Sequence, residues 1–428
     1  MSPSRDLLVK LYEAAVAAAH PSVCLPPALP APPEHGRVVV LAAGKAAGAT
    51  VEAVEAHYLD KLRLPKDRLT GIAVTRHGHG RKGRVIEVVE AGHPVPDAAG
   101  LAGAEKTLAL ADAAGPDDLV LVLVSGGASA NWIAPAEGIS LAAKQAVTRQ
   151  LLRCGATIGE INTVRKHLSR LKGGRLAARA HPARVVTLAI SDVPGDDPSV
   201  IGSGPTVPDP TTLADARAIV ARYGLDVPDE IKAALENPAN ETPKPGDPAF
   251  ADLDYQIVSR PQDAFEQVEA AVRASGLDCL LLGDRLEGEA RTVAAQHAAI
   301  AKEFVAQHRR AVILSGGELT VTLRGKGRGG PNQEYVLALA AALDGLSGVA
   351  ALAADTDGID GGGGKADDPA GAFVDETTLA RARGLGLDPA AFLADNDSTG
   401  FFERLGDLLR PGPTCTNIND FRAILVDR

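Results

Sequence analysis

Aromatic residues make up only 3% of this 428-residue chain, with a single Trp and a single Met. The four cysteines, Cys24, Cys154, Cys279 and Cys415, lie far apart and form no C-x-x-C pair. That spacing offers neither a zinc motif nor a redox dithiol and suits a reducing compartment, so the cytoplasm is the expected location. No apolar run approaches the roughly 20 residues of a membrane span. Asp6, Lys10 and Glu13 interrupt the N-terminal stretch, which reads as an amphipathic helix and not as a signal peptide. An excess of positive charge is also missing: 44 Lys and Arg face 54 Asp and Glu, a formal net charge of −10. Nucleic acid and anionic membranes need a basic face, so neither is an expected partner. A small anionic substrate remains compatible, because a local Lys/Arg cluster can hold it whatever the total charge.

Short apolar strands alternating with helical stretches are what the chain does contain. Strand-like runs cover 37–43, 69–75, 84–89, 119–124 and 184–190, with helices between most of them, for example 46–57, 101–113 and 141–154. Near-continuous apolar strands predict a mostly parallel sheet covered on both faces. The polar, proline-rich segment 237–248 (NPANETPKPGDP) reads as a linker. It separates a domain over 1–240 from a second α/β domain over 250–428. In the second part, strands are expected from Tyr255, Cys279, Ala311, Leu319 and Val349, and a strand over 421–426 is expected to close its sheet. Open α/β sheets bind ligands at the carboxyl ends of their strands, so the motifs there carry the search for chemistry.

The first strand ends in Ala43-Gly44-Lys45-Ala46-Ala47-Gly48 and leads into a helix, where N–H groups and the helix dipole favour anions. Lys45 is a candidate there, although a surface lysine would read the same. No Walker A loop occurs anywhere. The fourth strand ends in Ser125-Gly126-Gly127-Ala128-Ser129, a turn whose amides can face a phosphate or carboxylate. A plain βα turn would also use glycine, but Ser315-Gly316-Gly317-Glu318 repeats the pattern after a later strand and adds Glu318. The basic stretch Asn162–His167, followed by Lys172-Gly173-Gly174-Arg175, reads as helical, with Lys166 and Arg170 on one solvated face. Ser191-Asp192-Val193-Pro194 places Asp192 at a strand terminus with Asp196 and Asp197 close by, as a Mg²⁺ site or a general base requires.

Arg324-Gly325-Lys326-Gly327-Arg328-Gly329-Gly330 alternates three cations with four glycines between a strand and a helix. The glycines permit close approach of the backbone at Gly327, and the cations offer charge to a transferring phosphoryl group. Asp357 and Asp360 follow a further strand, ahead of the glycine run Gly361–Gly364. Both could be plain turn residues. Gly325-x-Gly327-x-x-Gly330 and Gly78-x-Gly80-x-x-Gly83 match the dinucleotide fingerprint formally. Neither opens a compact βαβ unit, so neither supports a nicotinamide site. His77 and His79 lack the partners of a zinc site.

The ordered set GKAAGAT, AGHPVPD, LVSGGASA, NTVRKHLSRLKGGRLA, SDVPGDDPSVIGSGPTVPDPTT, SGGELTVTLRGKGRGGPNQE, ADTDGIDG and PTCTNINDF resembles the glycerate 2-kinases of the MOFRL family over nearly the whole chain. The resemblance implies a large N-terminal Rossmann-like α/β/α domain, a smaller C-terminal α/β domain and an active site in the cleft between them. It also implies ATP and Mg²⁺ as cofactors, and conversion of D-glycerate to 2-phospho-D-glycerate. The family's catalytic Lys and Arg fall on Lys45 and Arg328, and its Ser-Asp-Val-Pro aspartate falls on Asp192. Asp192 is then the expected metal ligand. Ser125, Gly126, Gly127, Glu318, Gly327 and Asp357 are expected to bind substrate or nucleotide, and a homodimer is allowed. Members often carry the name hydroxypyruvate reductase, which makes a nicotinamide-dependent reductase the alternative reading.

Overall fold

The computed structural model describes residues 2–361, 365 and 367–427, so Gly362–Gly364 lie outside the described residues. The chain forms two compact units, Pro21–Val258 and Met1–His20 together with Ser259–Arg428.

In the Pro21–Val258 unit, six strands form one sheet: β1 (Val38–Ala43), β2 (Leu69–Arg76), β3 (Glu87–Ala91), β4 (Leu119–Val124), β5 (Arg184–Ile190) and β6 (Asp254–Ser259). Their order is β3-β2-β1-β4-β5-β6, and the β1–β2, β2–β3, β1–β4 and β4–β5 pairs run parallel. Side chains alternate across the pleat. Val39, Leu41, Val120 and Val122 therefore join one apolar cluster, while Val38, Val40, Leu119 and Leu121 join the cluster on the other face. Both faces are covered, which is why β1 and β4 read as unbroken apolar runs. The chain winds outward from β1 to β3, then crosses back to β4 and winds the other way. The topological switch point of this doubly wound sheet thus lies between the carboxyl ends of β1 and β4.

In the other unit, the main sheet has the order β13-β12-β11-β14-β9-β7. These strands are β7 (Asp278–Leu281), β9 (Ala311–Ser315), β11 (Val349–Asp355), β12 (Gly371–Asp375), β13 (Leu408–Leu409) and β14 (Asp420–Val426). A separate parallel pair joins β8 (Leu286–Glu289) to β10 (Gly317–Thr320). The expected closing strand β14 lies inside the sheet, antiparallel to both β11 and β9. Ala423 and Leu425 pack on one face of it, Ile424 and Val426 on the other.

Three organisational expectations change. The strand at 254–259 extends the first sheet beside β5 and does not open the second. The segment 237–248 is no free linker: it holds the 3-10 turn Pro238–Asn240, runs into a second at Pro248–Phe250, and buries Asn240 and Thr242. The helix Pro3–Ala18 belongs with the C-terminal unit, because its Leu8, Leu11, Tyr12 and Ala15 pack against Phe265, Val268 and Val272 of the helix Pro261–Ala274. An apolar helix face docks where its complement lies, whatever the separation along the chain.

Candidate active site

Lys45 and the Ser125-Gly126-Gly127 turn meet at the switch point. The Lys45 N–H donates to the Gly126 carbonyl at 2.8 Å, and the Ser125 hydroxyl accepts the Ala46 N–H at 3.1 Å. Gly44, at φ +118°, makes this possible: a Cβ there would sit 2.3 Å from Ser125 Oγ. Gly127, at φ +87°, would bring a Cβ to 3.0 Å from His93 and 3.4 Å from Lys45 Cγ, so both side chains crowd over the turn. None of the backbone hydrogen bonds among the described residues uses the N–H of Gly126 or Gly127. Two adjacent amides left over in such a turn are suited to an anion. Asp192 follows the end of β5, the next strand along the same sheet edge, and is half-buried.

The basic stretch is not solvated. Its helix ends at His167, so Arg170 leaves the face expected for Lys166 and instead pairs with Glu105. Lys166 and Lys172 are buried, as is Lys144 from the preceding helix. Lys144 donates to the carbonyls of Arg165 and Leu168 at 3.1 and 3.0 Å, closing the helix C-terminus. Lys166 reaches Asp209 at 3.5 Å. Lys172 donates to the Ser129 carbonyl at 2.9 Å, immediately beyond the glycine turn. Burial first, and the Arg165 charge second, push the Lys172 ammonium down to about 7. Burial likewise lowers Arg165.

Arg328 lies in the other unit, on a loop whose amides are already occupied. Asn396 Oδ1 accepts the N–H groups of Arg324 and Gly325 at 2.7 and 3.0 Å, and Asp395 Oδ1 accepts that of Lys326 at 3.0 Å. The Gly327 N–H donates to the Asp395 carbonyl at 2.8 Å, and that of Arg328 to Asp397 Oδ1 at 3.1 Å. A Cβ on Gly325 or Gly327 would stand 2.2 or 2.3 Å from atoms of Asp395 or Asp397. The glycines therefore admit the Asp395-Asn396-Asp397 segment, and the loop presents its side chains to the surroundings. The exposed Arg328 guanidinium pairs with Glu403 at 2.9 Å.

The remaining candidates are more constrained. Ser315-Gly316-Gly317 is not a second anion turn: a Cβ on Gly317 would lie 2.2 Å from the Leu286 backbone, and the Ser315 hydroxyl accepts from Arg422. Glu318 is exposed on β10, opposite Glu287. Asp357 is buried, and one of its carboxylate oxygens accepts the Ile359 N–H at 2.8 Å, as in an Asx-turn. Asp360 caps the helix Pro331–Leu343 by accepting the N–H groups of Asn332 and Gln333 at 3.0 and 2.8 Å. Burial chiefly pushes its carboxyl up to about 7. The glycines at 78, 80 and 83 do not form a nucleotide turn either: Cβ atoms on Gly80 and Gly83 would strike Glu90 and the Ile86 carbonyl.

Sequence reasoning missed the Asp395-Asn396-Asp397 clamp and the buried cations. The helix-capping pattern of Asp397 ahead of Ser398 was visible, but its partner loop was not. Lysines are seldom buried, so the basic stretch gave no sign of its burial.

Two family models match the chain: "Domain of unknown function (DUF4147)" over residues 7–236 and "MOFRL family" over residues 311–420. A protein of Agrobacterium vitis, provisionally named hydroxypyruvate reductase, is 50% identical over 99% of this chain and 94% of its own length. The D-glycerate 2-kinase of Thermotoga maritima is 37% identical over 90% of this chain and 89% of its own. A crystal structure of glycerate kinase from Thermotoga maritima superposes with a TM-score of 0.86 at 36% identity, covering 98% of this chain and 99% of that one.

Proposed function

The chain belongs to the glycerate 2-kinase family that joins DUF4147 and MOFRL regions, and from that membership we propose that it transfers the γ-phosphoryl group of ATP to the 2-hydroxyl of D-glycerate, giving 2-phospho-D-glycerate. The observation that carries this reading is the meeting of Lys45 with the Ser125-Gly126-Gly127 turn at the switch point of the doubly wound sheet. A cation beside free amides at that position is suited to phosphate oxygens.

Phosphoryl transfer asks a protein mainly for positioning and charge stabilisation. Lys45 neutralises charge on the transferring group while the Gly126 and Gly127 amides orient it. Arg328 adds a planar fork of donors for two oxygens at once. Asp192 holds a metal ion or orients the attacking 2-hydroxyl. Glu318 and Asp357 are secondary candidates for substrate contact. Mg²⁺ bound with ATP supplies charge neutralisation across the phosphates. Among the described residues no three His, Cys, Asp or Glu side chains converge on one cation position. Asp192, a half-buried carboxylate beyond the end of β5, is the side chain that would hold such a metal beside the nucleotide's phosphates, since Mg²⁺ is usually bound by one or two carboxylates plus phosphate oxygens. The four cysteines are free, in keeping with a cytoplasmic enzyme, and among the described residues no helix is long and apolar enough to cross a membrane.

The first βα turn, Gly44-Lys45-Ala46-Ala47-Gly48, lacks the G-x-G-x-x-G pattern of a nicotinamide site. Purified protein should therefore consume ATP only with glycerate and Mg²⁺ both present, and should not oxidise NADH or NADPH with hydroxypyruvate. Robust nicotinamide turnover without ATP would replace the kinase reading by the reductase one.

A further inference from the structure

Of the four cations around the 158–167 helix, two have protein partners that explain them: Lys144 closes the helix end and Lys166 pairs with Asp209. Arg165 and Lys172 do not. Lys172 is 1% exposed, yet its ammonium, with three donors, makes one hydrogen bond among the described residues, to the Ser129 carbonyl. The Arg165 guanidinium makes no hydrogen bond or ion pair among the described residues, although it lies close enough to Lys172 and Lys144 for its charge to lower both. The Asp209 carboxylate is engaged by Lys166, Thr211 and Thr242. Lys172 is buried and Arg165 half-buried. Withdrawing uncompensated like charges from water is unfavourable, and a fold that only needed packing would place apolar side chains here.

Neutral polar groups stand beside the pair. The Ser129 and Ser203 hydroxyls are 2.8 Å apart, and Ser203 reaches Asn162 Oδ1 at 3.4 Å. Ser203 itself has φ +63°, between Gly202 and Gly204 at φ +61° and +59°. A non-glycine residue held in that region is strained, and such strain gathers at functional positions. Ser129 also lies two residues beyond Gly127 of the glycine turn, so this cluster adjoins the position of Lys45 within one unit.

We propose that Arg165 and Lys172 anchor the carboxylate of the acceptor substrate, a small hydroxy acid, with Ser129, Ser203 and Asn162 meeting its hydroxyls. This rests on the kinase reading above and deepens it by assigning the acceptor subsite. Hydroxyls and an amide next to two unmatched cations suit a polyhydroxy carboxylate, while the glycine turn and Lys45 remain for phosphate. The carboxylate supplies the missing counter-charge beside Arg165 and favours the protonated form of Lys172, which the free protein disfavours.

The test uses Lys172→Met, which keeps an unbranched chain one atom shorter and removes the charge, and Arg165→Gln as a second variant. Melting temperature is measured for each protein alone, with D-glycerate and with a non-hydrolysable ATP analogue, followed by KM for both substrates. Lys172→Met should melt higher than wild type when free, lose the glycerate-induced rise, and raise the glycerate KM at least tenfold with the ATP KM little changed. Arg165→Gln should show the same split between substrates. A lower melting temperature with an unchanged glycerate KM would make Lys172 a structural lysine and overturn the assignment. Loss of the analogue's effect with glycerate binding intact would assign the cluster to phosphate instead, and also overturn it. If wild type neither binds nor phosphorylates glycerate, the kinase reading falls together with this subsite. Wild-type activity with normal glycerate binding in both variants removes the subsite alone.

Discussion

The Asp397 carboxylate accepts the backbone N–H of Arg328 at 3.1 Å, so the main chain is fixed behind a guanidinium that remains exposed. The same carboxylate caps the helix Ser398–Leu405 through the Gly400 N–H. One side chain thus ties the basic loop to a helix start. Asp397→Ala should remove the cap, which is worth about 0.5–2 kcal/mol, and should release the loop. The expected result is kcat reduced about tenfold or more under conditions where the variant remains folded. Circular dichroism melts and saturating kinetics on the same preparation separate the two effects. Unchanged kcat would show that the loop needs no clamp.

Arg328→Lys should lose most activity although the charge is retained. An ammonium is a single point charge and cannot repeat the guanidinium's planar fork. Removing a comparable charge-stabilising donor costs on the order of 100- to 1000-fold in turnover. Arg324→Lys should be mild, because that side chain is exposed and its backbone N–H is what Asn396 holds. The check is kcat for both variants at saturating ATP and glycerate. Equal, small losses would leave the loop with a diffuse positive field only.

The positions of the first unit's apolar strands were legible because both sheet faces are buried. The runs 119–124 and 184–190 match β4 and β5 residue for residue. The switch-point motifs followed, since Gly44 and Ser125 end neighbouring strands. Long-range pairing was not legible. Nothing local to Asp420–Val426 says that it inserts between β11 and β9, and nothing in Asp397 says that it meets an amide 69 residues earlier. The face of Lys166 was read as solvated for a related reason: a basic helix looks solvated until the elements that cover it are known.

Asp192→Asn keeps shape and removes the charge that a metal or a hydroxyl proton would sense. Turnover should fall by orders of magnitude with the melting curve preserved. Near wild-type activity across a Mg²⁺ titration would make Asp192 a turn residue.

Lys172 has a pH consequence whose sign is fixed. Its native ammonium is held to about 7, against an ordinary lysine value of 10.5, first by burial and then by Arg165. Lys144, Lys166, Asp209 and Arg175 are further charged groups around it. Between those two values the unfolded chain binds the proton and the native state does not, so stability gains from this residue as pH rises. The stability advantage of Lys172→Met over wild type should be largest below pH 7 and shrink towards pH 10. Denaturant melts of the pair at several pH values measure it, and a constant gap would contradict the burial of a titrating amine.

Phosphoryl transfer to the 2-hydroxyl of glycerate is tested most directly by the position of the phosphate in the product. Wild-type protein is incubated with ATP, Mg²⁺ and D-glycerate and coupled straight to enolase, with no phosphoglycerate mutase present. Immediate signal is the predicted result, because enolase accepts the 2-phosphate. Signal only after mutase is added would place the phosphate on the 3-hydroxyl, and no signal under either condition would contradict the kinase assignment.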